Sequence, residues 1–264
     1  MIKKVSLFAL LLSLTGCVNP YEKFYVAQNP GLGTSYSNEN IGIPPKLIHG
    51  SNPDADFQEM LEEGYDVIGY SSFNAASVSA DDALEQATAV HADVVIYYSR
   101  YTHTVSGSVP LTVPNTQTSN TNIYGNSYGS GGYRSFSGSA NTTTYGTQTT
   151  YMPYNVNRFD YYASYWIKTK PGILGVRIRD MTDEQRKEVG GNKGVAIIAV
   201  VKGSVAYRSD FLKGDILEKI GDTDLYEVKD LLEIVHKYQG QSVNIQLIRD
   251  GKALTKTVQL GEKL

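Results

Sequence analysis

Gly172-Ile173-Leu174-Gly175-Val176 is the stretch that decides the fold of the last third of the chain. It places an apolar loop between glycines, whose backbone adopts angles that other residues avoid. Such a loop can turn successive N–H groups toward one point and form a nest that accepts a carboxylate. A short strand, Val176 to Ile178, leaves the loop, and an extended peptide can add to an unpaired strand edge. The stretch therefore predicts a peptide-binding groove.

The opposite wall of this groove is predicted to be a helix from Glu227 to Tyr238. Its apolar residues recur at helical spacing and form one face, part of which must belong to the core. The rest of that face, together with the loop, would form an apolar pocket for the last side chain of a peptide. The predicted peptide-binding residues are Ile173, Leu174, Gly175, Val176, Ile178, Val228, Leu231, Leu232 and Val235.

Residues 171 to 261 resemble the PDZ domains of bacterial HtrA/Deg-type proteases, with the strands in the permuted order typical of bacteria. The loop described above stands where these domains bind a carboxylate. Residues 202–206 correspond to their "PGSPA" turn, 211–220 to their "GLKxGDxIxxI" segment, and 249–252 to their final hairpin. The resemblance implies a PDZ-like, partly open β-barrel with capping helices that binds peptides, in a domain spanning 171–264. It does not include a protease domain.

The sequence departs from the family pattern at several positions. Lys202 and Val205 replace both prolines of the turn, and Ser209-Asp210 replaces the usual small pair. Glu227 stands at the start of the groove helix, where many eukaryotic PDZ domains carry a histidine that reads Ser or Thr in the ligand. Because that specificity is not transferable, an apolar C-terminal residue is the expected ligand.

The N-terminus has the layout of a signal peptide over residues 1–16. Lys3 and Lys4 precede an apolar run, Val5 to Leu14, that is too short to span a bilayer. The following Thr15-Gly16-Cys17 resembles the end of a bacterial lipobox, which implies cleavage after Gly16 and acylation of Cys17. The alternative is an ordinary secretory signal with a chance cysteine. Because Val18 is not an aspartate of the kind that resembles an inner-membrane retention signal, we expect outer-membrane anchoring, with the periplasmic face favoured.

Composition and motif content argue against several other classes of protein. The chain has 264 residues, a net charge of −3 and a sequence pI near 5.8, which disfavours a nucleic-acid partner. With one cysteine, it can form no internal disulfide and no cysteine-based metal cluster. Phosphate-binding glycine motifs are absent from the sequence, and the histidines lack carboxylates at metal-ligand spacing. We therefore expect no cofactor and no metal.

The first half of the chain reads as a tether followed by a small α/β domain, giving an α+β protein overall. Residues 17–45 are polar and rich in turn formers, as linkers are. Tyr21, Phe24 and Tyr25 could pack on the next domain or sit at lipid headgroups. Within 46–170, a helix starting at Asn52 and ending at Gly64, a strand at 65–73, a helix from Ser79 to His91 and a strand at 94–98 are predicted. Strand, helix and strand at this length suggest a right-handed crossover.

An insertion at about 105–150 is dominated by Ser, Thr, Asn, Gly and Tyr. It cannot supply a packed core, so it is either a disordered loop or the end of a long β-arm. The Tyr- and Thr-rich flanks favour a hairpin base. Such segments can self-associate or adhere to surfaces, and the alternative is a solvated insertion without a specific role.

Two fragments superficially resemble trypsin-like protease motifs, at His91 and at Ser127. Ser127 is followed by Tyr128 rather than by glycines that would form an oxyanion hole, and His91 ends a helical pattern. We therefore expect no catalysis. The leading hypothesis is a lipid-anchored adaptor that binds envelope proteins or peptides with apolar C-termini. The rivals are a surface or assembly protein acting through its arm and a degenerate serine protease.

Overall fold

A computed structural model describes residues 18–28, 42–170 and 172–261. The predicted signal peptide and Cys17 lie outside the described residues, so the structure does not bear on lipidation. Within those ranges, no helix is long and apolar enough to cross a membrane.

The first half of the chain forms a five-stranded sheet in the order β1-β3-β5-β4-β2. Its strands are β1 (Tyr25–Ala27), β2 (Lys46–His49), β3 (Tyr65–Ala75), β4 (Val94–Gly129) and β5 (Gly132–Lys168). Its helices are α1 (Pro20–Lys23), α2 (Pro53–Glu62) and α3 (Ala80–Ala89). The side chains of Asn52 and Ser79 accept backbone N–H bonds and begin α2 and α3 at the predicted positions. Helix α3 ends before His91, whose φ of 57° is left-handed.

The strand order differs from a simple crossover. Strand β4 pairs in parallel with β2, and β3 pairs antiparallel with β5. Strand β5 therefore lies between β3 and β4, so the connection through α3 passes over an intervening strand. The sequence prediction missed this because β5 enters from far along the chain and carries buried aromatic residues such as Tyr165.

Part of the predicted tether is built into this domain, so the boundary at residue 46 is wrong for residues 18–28. Strand β1 pairs with β3, and the side chain of Tyr21 is 0% exposed in a core cluster with Phe73 and Tyr161. The Tyr25 hydroxyl donates to the carbonyl of Ile68. Tyr21 and Tyr25 thus pack on the domain, which is the first of the two alternatives. Residues 29–41 lie outside the described ranges.

Residues 101–158 form a compact unit of their own. In it, β4 and β5 are strands up to the turn at Ser130-Gly131, and nearly every side chain is exposed. The insertion at about 105–150 lies inside these two strands.

The C-terminal part folds around a second sheet, in the order β11-β10-β8-β7-β6, with β9 paired to β8. Its strands are β6 (Val176–Asp180), β7 (Val195–Val200), β8 (Ile216–Ile220), β9 (Thr223–Asp224), β10 (Ser242–Arg249) and β11 (Lys252–Gln259). Its helices are α4 (Asp183–Val189), α5 (Val205–Arg208) and α6 (Val228–Lys237). The terminal strands β6 and β11 are not neighbours among the described residues, so the sheet stays open rather than closing into a barrel.

The two sheets share a hydrophobic contact. Ala199 of β7 is 0% exposed and belongs to one cluster with Met60, Leu61 and Trp166 of the first domain. The backbone N–H of Lys202 also donates to the carbonyl of Glu62. The C-terminal domain is therefore packed on the first domain rather than joined to it by a free linker.

Candidate peptide-binding groove

The predicted loop is held by its carbonyl groups. The carbonyl of Ile173 accepts from Gly261 N–H at 3.1 Å, and that of Leu174 accepts from Ala206 N–H at 2.9 Å. The carbonyl of Gly175 accepts from Val201 N–H at 3.0 Å. Three separate segments of the domain thus fix three consecutive peptide groups.

This arrangement decides where the N–H groups of the loop point. A trans peptide is planar, with its C=O and the next N–H on opposite sides, and the described residues contain no cis peptide. The N–H groups of Leu174, Gly175 and Val176 therefore point away from the segments that hold the carbonyls. Within residues 172–261, Leu174 and Gly175 N–H donate to no backbone carbonyl. Successive outward N–H groups are the physical basis of an anion-binding nest.

Gly175 and Ser204 set the shape of the loop together. Gly175 has a φ of +81°, and a Cβ placed on it would lie 2.2 Å from the Ser204 Cβ. The Ser204 hydroxyl donates to the Gly175 carbonyl at 3.2 Å and accepts from Tyr207 N–H at 3.1 Å. Ser204 therefore caps α5 and fastens the loop to it. Gly172 has no left-handed φ and no close contact, so only the second glycine of the loop is required by its geometry.

Strand β6 supplies an open edge beside the loop. It is the last strand of the described sheet, since β7 is its only neighbour there. The side chains of Ile173, Val176 and Ile178 are half-buried and pack against the main hydrophobic cluster. One edge of an added strand would therefore find backbone partners on β6, and its side chains would find apolar surface beneath.

The predicted residues of α6 divide into two groups. Leu231 and Val235 are 3% and 6% exposed and belong to the core cluster, as does Leu174 at 3%. Val228 and Leu232, one helical turn apart, are half-buried and are not members of that cluster. Among the described residues of α6, these two are the apolar side chains available to contact a ligand.

The far end of the groove is fastened by a residue that the sequence did not single out. The Asp180 carboxylate, at the end of β6, accepts from Val228 N–H at the start of α6 at 3.0 Å. An acid at a helix N-terminus is favourable because it meets orphan N–H groups and the positive end of the helix dipole. The Asp230 carboxylate accepts from Tyr226 and Glu227 N–H, and these bonds hold its pKa below the ordinary value.

Strand β6 is also attached to the first domain by one side chain. Arg177 lies 3.0 Å from a carboxylate oxygen of Asp66, with side chains 19% and 10% exposed, and its Nη2 donates to the Thr169 hydroxyl at 2.6 Å. The Nε–H does not point at the Asp66 oxygen, so this is an ion pair rather than a directed hydrogen bond. Burial lowers the pKa of the guanidinium, and Asp66 opposes that effect.

Three residues of the groove were therefore missed by sequence reasoning: Ser204, Asp180 and Arg177. Ser204 carries a local signal, because a serine before a short helix is typical of an N-cap. Asp180 contacts Val228, 48 positions away, and Arg177 contacts Asp66, 111 positions away. No local sequence pattern predicts contacts of this kind.

The two protease-like fragments fall in different units of the chain. His91 is exposed after the end of α3, and Ser127 is exposed on β4 in the separate unit 101–158. Within the described ranges, no group of three His, Cys, Asp or Glu side chains could hold a metal ion.

Comparison with known proteins identifies the class of this domain. Residues 172–260 match the family model described as PDZ domain, and this part of the chain is a PDZ domain with HtrA/DegP-like homologues. The comparisons identify no protease domain beside it.

The relatives are a DegP-like protease, an HtrA-type protease and the PDZ domain of HtrA3. The chain is 33% identical over 90 residues to the "Probable periplasmic serine endoprotease DegP-like" of Rickettsia prowazekii (strain Madrid E), a match covering 33% of this chain and 18% of the relative. Solved structures that it resembles include the HtrA-type protease AlgW with decapeptide, at 23% identity, covering 34% of this chain and 29% of that one, with a TM-score of 0.33. The HtrA3 PDZ domain bound to a phage-derived ligand is 22% identical, with 33% and 82% coverage and a TM-score of 0.30.

Replacing Gly175 with alanine should destabilise the loop. The left-handed φ and the contact with Ser204 together should lower the free energy of unfolding by about 2 kcal/mol. Chemical denaturation of the purified chain measures this change. Gly191 has open space around it and no left-handed φ, so G191A is the matched control and should change stability by less than about 0.5 kcal/mol. Equal effects at the two positions would contradict the assigned loop geometry.

Proposed function

We propose that this protein is a non-catalytic adaptor of the bacterial envelope whose PDZ domain binds the C-termini of partner proteins. The ligand ends in an apolar residue. Its carboxylate accepts hydrogen bonds from the N–H groups of Leu174, Gly175 and Val176, and its backbone adds to β6. The observation that carries the proposal is the pinning of three consecutive loop carbonyls, which turns the matching N–H groups outward.

The dimensions of the groove limit the length and the side-chain chemistry of the peptide that it can bind. Strand β6 is five residues long, and at about 3.3 Å per residue it accommodates on the order of four ligand residues. The pinned loop ends the groove at the start of β6, so the ligand is the end of a chain, and its preceding residues leave the groove past the Asp180–Val228 bond. Val228 and Leu232 contact its side chains from α6. None of these side chains is basic, which supports a ligand with apolar rather than acidic side chains.

A lipid anchor at Cys17 and an outer-membrane location complete the proposal. The sequence layout around Leu14-Thr15-Gly16-Cys17 supports the anchor, and the similarity to a periplasmic DegP-like protease of Rickettsia supports a place in the envelope. Helix α1 begins at Pro20 and Tyr21 is already buried. An acylated Cys17 would therefore hold the first domain within about 15 Å of the membrane surface, given four steps of 3.8 Å between successive Cα atoms from Cys17 to Tyr21.

Peptide binding tests the proposal directly. A five-residue peptide ending in a free apolar residue should bind the purified chain with a dissociation constant in the micromolar range, as expected for a small groove. The same peptide with an amidated end should bind at least about tenfold more weakly, because the nest then lacks its anion. Isothermal titration calorimetry measures both.

A matched pair of variants locates the binding. Leu232→Glu should weaken binding of the free-acid peptide by about tenfold or more, since it places a charge in the apolar groove. Leu254→Glu makes the same change on β11, where the leucine is 39% exposed, and should leave binding unchanged. Equal affinity for the free-acid and amidated peptides, together with unchanged affinity in Leu232→Glu, would overturn the proposal.

The anchor has its own test. In a bacterial envelope host, the chain should sediment with membranes and carry acyl groups detectable by mass spectrometry of its N-terminal fragment. Cys17→Ser should abolish the acyl mass and leave peptide binding intact. Membrane association that survives Cys17→Ser would refute lipid anchoring without affecting the proposal for the PDZ domain.

A further inference from the structure

The unit 101–158 is a ribbon of two strands in one continuous register. Thr112 and Thr149 hydroxyls lie 3.0 Å apart, and those of Thr118 and Thr143 lie 3.5 Å apart. Tyr128 and Tyr133 pack edge to face at 5.4 Å between centroids. Each step forward on β4 is matched by one step back on β5 in these pairs, so the ladder runs without a bulge.

This register sorts the side chains onto two faces, because residues two apart in a strand share a face. Thr112, Thr118, Tyr128 and their partners lie on one side, which we call the tyrosine face. Gly107 lies under the ring of Tyr154, and Gly125 under that of Phe136, and these pairs lie on the other side.

The other side collects the aliphatic side chains of the unit, and we call it the aliphatic face. In the described strands these residues are exposed or half-buried, and they have no covering layer within the unit. Its apolar members are Val105, Val109, Leu111, Val113, Ile123, Phe136, Met152, Tyr154 and Val156. Leu111 is 47% exposed and Val109 is 56% exposed.

Within this unit, no second layer of secondary structure packs on the apolar face of the ribbon. A two-stranded hairpin is marginally stable in water, and a sheet with an apolar face is stabilised by packing that face against another element. Over residues 104–129 and their partners, two strands about 4.8 Å apart rising about 3.3 Å per residue give a face on the order of 800 Å², with apolar side chains toward its two ends and polar ones such as Asn115 and Gln148 between them. That is about the area each partner contributes to a stable protein interface.

The scarcity of charged residues in the unit favours another copy of the same surface as the partner that covers the aliphatic face. Residues 101–158 contain Arg134 and Arg158 but no Asp, Glu or Lys. Both arginines lie at the ends of the aliphatic face, where Arg134 is exposed beside the turn and Arg158 is half-buried at the other end. The ribbon also lacks the edge charges that sheet proteins use to prevent association.

A lipid surface fits this face less well. The outer edges of the ribbon carry rows of backbone N–H and C=O groups, and hydrocarbon offers these groups no partners. Packing against a second protein ribbon leaves those edges in water. We propose that the aliphatic face of 101–158 is a self-association surface that packs against the same face of a second copy of this chain. The proposal is independent of peptide binding by the PDZ domain.

Sedimentation velocity on the full chain tests this, with Cys17→Ser as a common background so that no acyl chain contributes. The chain should form dimers over a micromolar concentration series. Leu111→Lys should weaken dimerisation by about tenfold or more, since it buries a charge in the interface. Thr112→Lys adds the same charge at the next residue but on the tyrosine face, and it should change dimerisation by less than about threefold.

Thr112→Lys removes an exposed hydroxyl contact with Thr149, so it controls for damage to the ribbon itself. Val113→Lys is a second variant of the aliphatic face and should behave like Leu111→Lys. A chain that stays monomeric throughout, or equal losses on the two faces, would overturn the proposal. Flotation of a monomeric chain with phosphatidylglycerol vesicles that is lost in Leu111→Lys would assign the face to lipid and would also overturn it. The affinity of the same variants for the C-terminal peptide should be unchanged. This measurement tests the proposed PDZ function separately from self-association.

Discussion

The constraint on which the proposed function rests is the anchoring of the carbonyls of Ile173, Leu174 and Gly175. Their donors, Gly261, Ala206 and Val201, lie in three different parts of the domain. The loop therefore takes its final shape only when the whole domain has folded. Because planar trans peptides place C=O and N–H on opposite sides, holding one set of groups inward exposes the other. An anion site made in this way needs no charged side chain. It is formed by backbone groups whose positions are fixed before a ligand arrives, and such preorganisation reduces the entropy lost on binding.

The first domain extends this preorganisation to β6. Arg177 ties the proposed peptide-binding strand to Asp66 and Thr169, and Ala199 of the neighbouring strand is packed beside Trp166. Breaking a largely buried ion pair by removing one partner leaves an uncompensated charge and costs far more than the intact pair contributes. The pair therefore constrains β6 strongly even if it adds little net stability. A PDZ domain attached in this way is packed on the first domain, unlike one at the end of a free linker.

Local patterns in the sequence were sufficient for the groove walls. The glycine-bracketed loop at 172–176 and the helix now bounded at Val228 and Lys237 could both be located from short-range patterns. Contacts between distant segments were not predictable in this way. Strand β5 inserts between β3 and β4, and Tyr21 is buried although its segment reads as a linker. Asp180 meets Val228 across the groove for the same reason. Such contacts are determined by tertiary packing, and the local sequence around each residue does not indicate them.

The most direct test of the central claim is the response of individual backbone amides to ligand. In ¹⁵N–¹H correlation spectra, a peptide with a free apolar C-terminus should shift the amide signals of Leu174, Gly175 and Val176 more than any others in the domain. The amidated peptide should leave those three signals nearly in place while still perturbing residues beside the groove, such as Leu232. Equal shifts with both peptides, or shifts confined to residues away from β6 and α6, would contradict the claim that these amides receive a carboxylate.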